Sequence, residues 1–130
     1  MLASVGPGRW GVMPRWGSRG GQSVEDLAQY VLSLSGREHD QAAAAAAKPM
    51  FATCAACHGA DGKGNQALGA PNLTDDVWLH GSSLADIEQT IRDGREGHMP
   101  AWNERLGEAR SRAVAAYVYH LSHREQGARN

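Results

Sequence analysis

Apolar residues recur at helical spacing in three separate stretches of the chain. In 23–36 the stripe is Leu27, Tyr30, Val31 and Leu34, with Ser23 placed as N-cap, Asp26 at the capping-box position and Gly36 as the stop. In 82–94 it is Leu84, Ile87 and Ile91, with Ser83 as cap and Asp86 completing the box. In 109–123 it is Val114, Tyr117, Val118 and Leu121. A fourth stretch, 42–59, starts with a run of alanines. That run is either a low-complexity spacer or helix, and helix is favoured because Ala is the strongest helix former; Pro49 should start or kink a turn within it. Residues 1–22, 59–76 and 95–108 are rich in Gly, Pro, Asn or Trp without periodicity and read as loops, and 37–41 is a polar linker. No stretch reads convincingly as a strand, so the predicted class is all-α.

The patterning repeats. Gly8-Arg9-x-Gly11-x-Met13-Pro14-x-Trp16 matches Gly94-Arg95-x-Gly97-x-Met99-Pro100-x-Trp102 at six of nine positions, at an offset of 86. One residue out of step, Ala28, Tyr30, Val31, Leu34 and Ser35 match Ala115, Tyr117, Val118, Leu121 and Ser122. Such a long repeat implies duplicated units. The motif Cys54-x-x-Cys57-His58 occurs once, and its counterpart at the same offset would lie upstream of Met1. Residues 9–17 therefore read as the end of a preceding unit, and the chain as a cut through a longer protein or one from which targeting segments were removed.

Composition adds limits. The 130 residues suit one compact domain, and the apolar content is mostly Ala, Leu and Val, a light core that often draws on a cofactor or partner. A net charge of −1 gives no strong pull toward nucleic acid or anionic lipid, although Arg9, Arg15 and Arg19 stand without an acid in the first 22 residues. No apolar run approaches the roughly 20 residues of a bilayer span, and none resembles a signal peptide.

The two cysteines carry the chemistry. A C-x-x-C pair is a redox dithiol, half a metal site or a covalent haem anchor. The first wants a βαβ context, which the pattern lacks. A zinc site needs a fourth ligand, for which His58 with His80, His98 or His123 is available, but there is no second C-x-x-C. Covalent haem is favoured because His58 directly follows Cys57: the thiols add to the two vinyl groups and the imidazole meets the iron. Met99, 41 residues after His58, is placed as second axial ligand; its thioether would favour reduced iron and raise the potential. Pro100 holds Met99 extended. Met13 is the competing methionine, Met50 is too near the anchor, and His98 is the alternative ligand. Trp78 and Trp102 are packing residues or indole donors to a propionate. The Pro71 carbonyl is placed to accept from the other ring nitrogen of His58. His120 and His123 read as solvated or structural.

The run from Phe51 through Cys54-x-x-Cys57-His58-Gly59-x-Asp61-Gly62-x-Gly64, then Ala70-Pro71-Asn72-Leu73-Thr74-Asp75, Trp78-Leu79 and Gly94-Arg95-x-Gly97-x-Met99-Pro100, resembles class I cytochromes c. It is most similar to the C-terminal haem domain of the di-haem subunit III of cbb3-type cytochrome oxidases. The resemblance covers about 42–123, and 5–35 resemble the tail of that subunit's first haem domain. It implies a few helices wrapped around one haem c, with Cys54 and Cys57 as thioether anchors, His58 and Met99 as axial ligands and Pro71 as the partner of His58. It implies that helix 109–123 crosses the helix entering the cysteine motif, with Tyr117 near Phe51. The expected division is 1–36 as a remnant tail, 37–41 as linker, 42–124 as the mono-haem domain and 125–130 as a flexible terminus. The implied role is that of an electron carrier rather than an enzyme, on the periplasmic side of a membrane-anchored parent, passing electrons from a donor cytochrome to the oxidase's catalytic subunit. A free soluble cytochrome, a haem enzyme or gas sensor with an open iron, and a zinc-bound structural module are the alternatives. Helix 23–36, without its own haem, should cover its stripe within the chain or in a homodimer. Met13 reaching the iron of a second copy in a swapped dimer is the lesser alternative.

Overall fold

The computed structural model describes residues 7–127, which fall into two compact units. The larger is Gly11–Glu96; the smaller is described over 7–10 and 97–127. The segment 11–36 lies in the larger unit.

The larger unit holds four α-helices: α1 (Gly21–Leu34), α2 (Gln41–Ala47), α3 (Phe51–His58) and α4 (Leu84–Asp93). Helix α1 buries Val24, Leu27, Ala28, Val31 and Leu32, a stripe at three- and four-residue spacing. It packs on α2 and α4. From α2 only Ala44 and Ala47 are buried, and with nothing beyond Cβ they let α1 come close. Phe51, Ile87 and Ile91 complete the core. Each such Leu, Ile, Val or Phe contributes about 1.5–3 kcal/mol relative to exposure.

Caps set the helix starts. Asp40, read from sequence as linker, caps α2: its carboxylate accepts from the backbone N–H groups of Ala42 and Ala43 at 2.9 and 3.0 Å. The Asp40 N–H in turn donates to the side-chain oxygen of Gln29 at 2.8 Å, tying α2 to α1. Ser83 and Asp86 form the expected capping box of α4, and the Ser83 hydrogen bonds hold the Asp86 carboxyl below its usual range. Helix α1 departs from expectation. It starts at Gly21, with Ser23 inside its first turn, and Gln22 engages Asp26 at 2.8 Å, so no box forms. The expected helix 42–59 is broken at 48–50, because Pro49 has no N–H to continue α2.

The all-α expectation is corrected by a two-stranded sheet, β1 (Arg9–Met13) with β2 (Arg95–Met99), and by a 3-10 turn at Gly17–Arg19. The strands are the two copies of the repeat. Gly8, at φ +77°, abuts the Met99–Ala101 backbone, and Gly94, at φ +71°, abuts the Met13–Arg15 backbone. The strands therefore run antiparallel, and each copy meets the other in the same way. A Cβ on Gly8 would stand 2.3 Å from the Met99 oxygen and one on Gly94 2.4 Å from the Met13 oxygen, so only Gly permits either approach.

In the smaller unit, α5 (Asn103–Leu106) leads into α6 (Glu108–Gly127). Of α6, Ser111 and Ala115 are buried, while Val114, Tyr117, Val118 and Leu121 are exposed. Met99, Trp102, Leu106 and Val114 line an apolar recess there. Residues 125–127, expected to be flexible, continue α6; 128–130 and 1–6 lie outside the described residues.

The position near Phe51 expected for Tyr117 is held by its repeat counterpart. The Tyr30 and Phe51 rings are 4.9 Å apart at an interplanar angle of 50°, whereas Tyr117 is 63% exposed. The apolar face of 23–36 is thus covered within the chain. Tyr30→Ala is expected to cost about 2 kcal/mol, from lost burial and ring contact. Tyr117→Ala is expected to stay within about 0.5 kcal/mol. Urea unfolding of both variants, followed by circular dichroism, checks the contrast.

Candidate haem site

Helix α3 presents the motif on its last turn. Cys54 and Cys57 are three residues apart, so both thiols lie on one side of the helix; Cys54 is half-buried and Cys57 exposed, and neither is in a disulfide. Burial pushes the Cys54 thiol above its ordinary pKa, with the Cys57 thiol acting in the same sense and the charge of Arg19 opposing it. His58 ends the helix and is only 7% exposed.

The loop after α3 is folded back onto His58. Gly59 closes the helix at φ +81°, its N–H donating to the Ala55 carbonyl at 2.9 Å. Gly64 N–H donates to the His58 carbonyl at 2.7 Å, and Leu73 N–H to the Gly62 carbonyl at 2.7 Å. Asn65 and Ala70 bridge in antiparallel fashion, and the Asn72 side chain accepts from both the N–H and the hydroxyl of Thr74. The product is a fixed position for Pro71, whose carbonyl oxygen lies 3.0 Å from His58 Nδ1. A carbonyl only accepts, so Nδ1 carries the proton and Nε2 keeps its lone pair free for a metal.

This arrangement fits a covalently held haem. It has two thiols on one face, an imidazole oriented through its other nitrogen, and apolar neighbours: Leu73, Trp78, Met50 and Met13 pack, like Cys54, against the core cluster. It also has an unmet need, because the buried indole Nε1 of Trp78 has no hydrogen-bond partner. A haem propionate would satisfy that donor. Among the described residues no three His, Cys, Asp or Glu side chains converge as a metal group, which weighs against the zinc reading.

Met99 and Trp102 lie in the smaller unit, where Arg105 stands over the Trp102 ring and His98 meets the edge of Trp10. Met13 lies in the same unit as Cys54, Cys57, His58, Pro71 and Trp78. The sequence reading left open whether helix 23–36 covers its stripe within the chain or in a homodimer; α1 covers it within this unit. The signal was the match of Tyr30 with Tyr117, which already implied that either helix could meet Phe51.

Gly64 is the loop's tightest point. At φ +83°, a Cβ there would stand 2.6 Å from both the Ala70 oxygen and the Pro71 carbonyl carbon. Gly36, at φ +68°, has nothing within 4 Å. Gly36→Ala is expected to cost about 1 kcal/mol, for the left-handed backbone alone. Gly64→Ala is expected to cost several times more and to lower the fraction of chains carrying haem, because Pro71 must move. Thermal melts and the haem-to-protein absorbance ratio of the two variants provide the check.

Residues 41–118 match the family model described as cytochrome c oxidase, cbb3-type, subunit III. A cbb3-type cytochrome c oxidase subunit CcoP of Cereibacter sphaeroides is 46% identical over 117 residues, covering 87% of this chain and 40% of that protein. The CcoP subunit of Rubrivivax gelatinosus is 47% identical over 117 residues, covering 88% of this chain and 38% of its own length. A subunit FixP of Bradyrhizobium diazoefficiens is 48% identical over 105 residues, covering 78% and 36%. The chain thus spans about two-fifths of the length of the curated relatives it matches.

Proposed function

The chain belongs to the cbb3-type cytochrome c oxidase subunit III family, and on that premise we propose that it carries electrons through one low-spin haem c bound covalently to Cys54 and Cys57. The observation that supports this most is the Pro71–His58 hydrogen bond, which orients the imidazole beside the paired thiols and leaves Nε2 for the iron. The haem would supply the one-electron redox couple. His58 and a methionine thioether would hold its iron, Met99 being the methionine the family likeness implies. Held by these two residues, the haem would supply outer-sphere electron transfer rather than oxygen chemistry, which is the chemistry of a carrier and not of an enzyme. Trp78 donates to a propionate, and the exposed side of α3 at Cys57 is the surface offered to redox partners.

The relatives are named as oxidase subunits, which favours a relay from a donor cytochrome to an oxidase catalytic subunit over a free soluble carrier. The periplasmic face of the membrane is the proposed location, where thioether attachment takes place. Among the described residues no helix is long and apolar enough to cross a membrane.

Intact mass should show one haem added to the chain. The oxidised protein should be low-spin with a far-red sulfur-to-iron absorption band, and the reduced protein should bind carbon monoxide slowly. High-spin iron with rapid carbon monoxide binding would replace this reading with a haem enzyme or sensor.

A further inference from the structure

Arg19 follows Trp16 at the same distance along the chain as Arg105 follows Trp102, so each copy of the repeat reads Met-Pro-x-Trp-x-x-Arg. Both copies fold alike at this point. Arg19 N–H donates to the Trp16 carbonyl at 3.0 Å, and its guanidinium carbon stands 4.5 Å from the centre of the Trp16 ring. Arg105 N–H donates to the Trp102 carbonyl at 3.1 Å, and its guanidinium carbon stands 5.2 Å from the centre of the Trp102 ring. Each tryptophan opens a short helical turn, Gly17–Arg19 or α5, and neither side chain caps its turn. The first copy makes this arrangement in the larger unit and the second in the smaller. An arrangement that forms twice in different surroundings is set by the local sequence.

In the second copy the tryptophan has a further neighbour. The Trp102 ring lines the apolar recess together with Met99, Leu106 and Val114, so it walls the methionine side chain. Met99 ends β2, and only Pro100 and Ala101 separate it from Trp102. The four-residue α5 is too short to be stable alone, so the place of Trp102 depends on what holds it. Arg105 holds it twice, through the backbone N–H and through the guanidinium. Arg105 is exposed and Trp102 half-buried. A planar, weakly hydrated guanidinium can lie on an indole face and still meet water. From this we propose that Arg105 is a positioning residue for the Met99 sulfur, acting through Trp102. A thioether carries no charge to draw it to the iron, and any freedom left to its loop weakens the bond. Clamping the ring against Met99 removes part of that freedom.

This rests on the proposal above that Met99 ligates the haem iron, and one titration separates the two. Imidazole competes with the thioether, so its apparent affinity for the oxidised holoprotein, read from the visible spectrum, reports how firmly Met99 is held. Arg105→Ala is expected to raise that affinity about two- to fivefold, the equivalent of one exposed cation–π contact. Arg105→Lys, which keeps a cation beside the ring, is expected to recover part of the difference. Arg19→Ala removes the same stack from the other copy and is expected to change nothing. In a Trp102→Leu background, Arg105→Ala is expected to add nothing, because the arginine acts through the ring. Met99→Ala is expected to bind imidazole many-fold more tightly than wild-type. An unchanged affinity in Arg105→Ala, beside a many-fold rise in Met99→Ala, overturns the inference and leaves methionine ligation intact, even if the variant melts at a lower temperature. A full Arg105→Ala effect in the Trp102→Leu background also overturns it. A Met99→Ala protein whose mass shows haem and which binds imidazole as wild-type does overturns ligation by Met99, and this inference with it.

Discussion

The packing of α1 across the alanines of α2 and the apolar edge of α4 is the contact on which the larger unit depends. Ala44 and Ala47 offer no side chain to grip, so this face of α2 is held only if another helix comes close enough to bring its own bulk. Val24, Leu27, Val31 and Leu32 provide it. The same helix carries Tyr30 to Phe51, which fixes the first turn of α3, and α3 presents both thiols and His58. A helix of eight residues is too short to be stable alone, so the geometry at the cysteine motif depends on α1. Gln29, accepting from the Asp40 N–H, adds a polar tie at the far end of the same contact.

On the other side of His58 the constraint is backbone rather than side chain. Gly59, Gly62 and Gly64 adopt positive φ, and the loop they allow closes by hydrogen bonds of 2.7 Å to the His58 carbonyl and between Leu73 and Gly62. This delivers a carbonyl to Nδ1 from a proline, a residue with no N–H of its own to misdirect the contact. An imidazole fixed in this way has one tautomer and one orientation, and an electron carrier benefits from both, since little must reorganise when the iron changes charge. The lone indole N–H of Trp78 is the complementary feature: a buried donor without a protein acceptor makes sense where an anionic group completes the wall.

Much of this was legible in the residues. The thiol spacing, the adjoining histidine and the carbonyl of Pro71 are local: fourteen residues of chain from His58 to Pro71, punctuated by glycines, leave few ways to fold back. The capping box at Ser83 and Asp86 is equally local, and so is the break at Pro49. The failures have a different character. Asp40 looked like linker because nothing nearby showed that its carboxylate would find two alanine N–H groups. Ser23 looked like a cap because the pattern before it gave no sign that the helix would begin at Gly21. The loop 1–22 was given no strand because its alternation is poor; β1 forms by pairing with β2, the similar motif 86 residues away.

The sequence by itself determined the Cys-x-x-Cys-His motif, its local link to Pro71 and the presence of two similar copies of the methionine-and-helix segment. It left undecided which copy's helix packs on α2 and α4. The two segments have nearly the same apolar spacing, the same tyrosine and the same Met-Pro, so no local rule ranks one above the other. Only the tertiary structure made the choice, by seating α1 in the groove and leaving the stripe of α6 exposed. Groove occupancy is a non-local property: it depends on the summed burial of one helix against three others, which periodicity along a single chain does not contain.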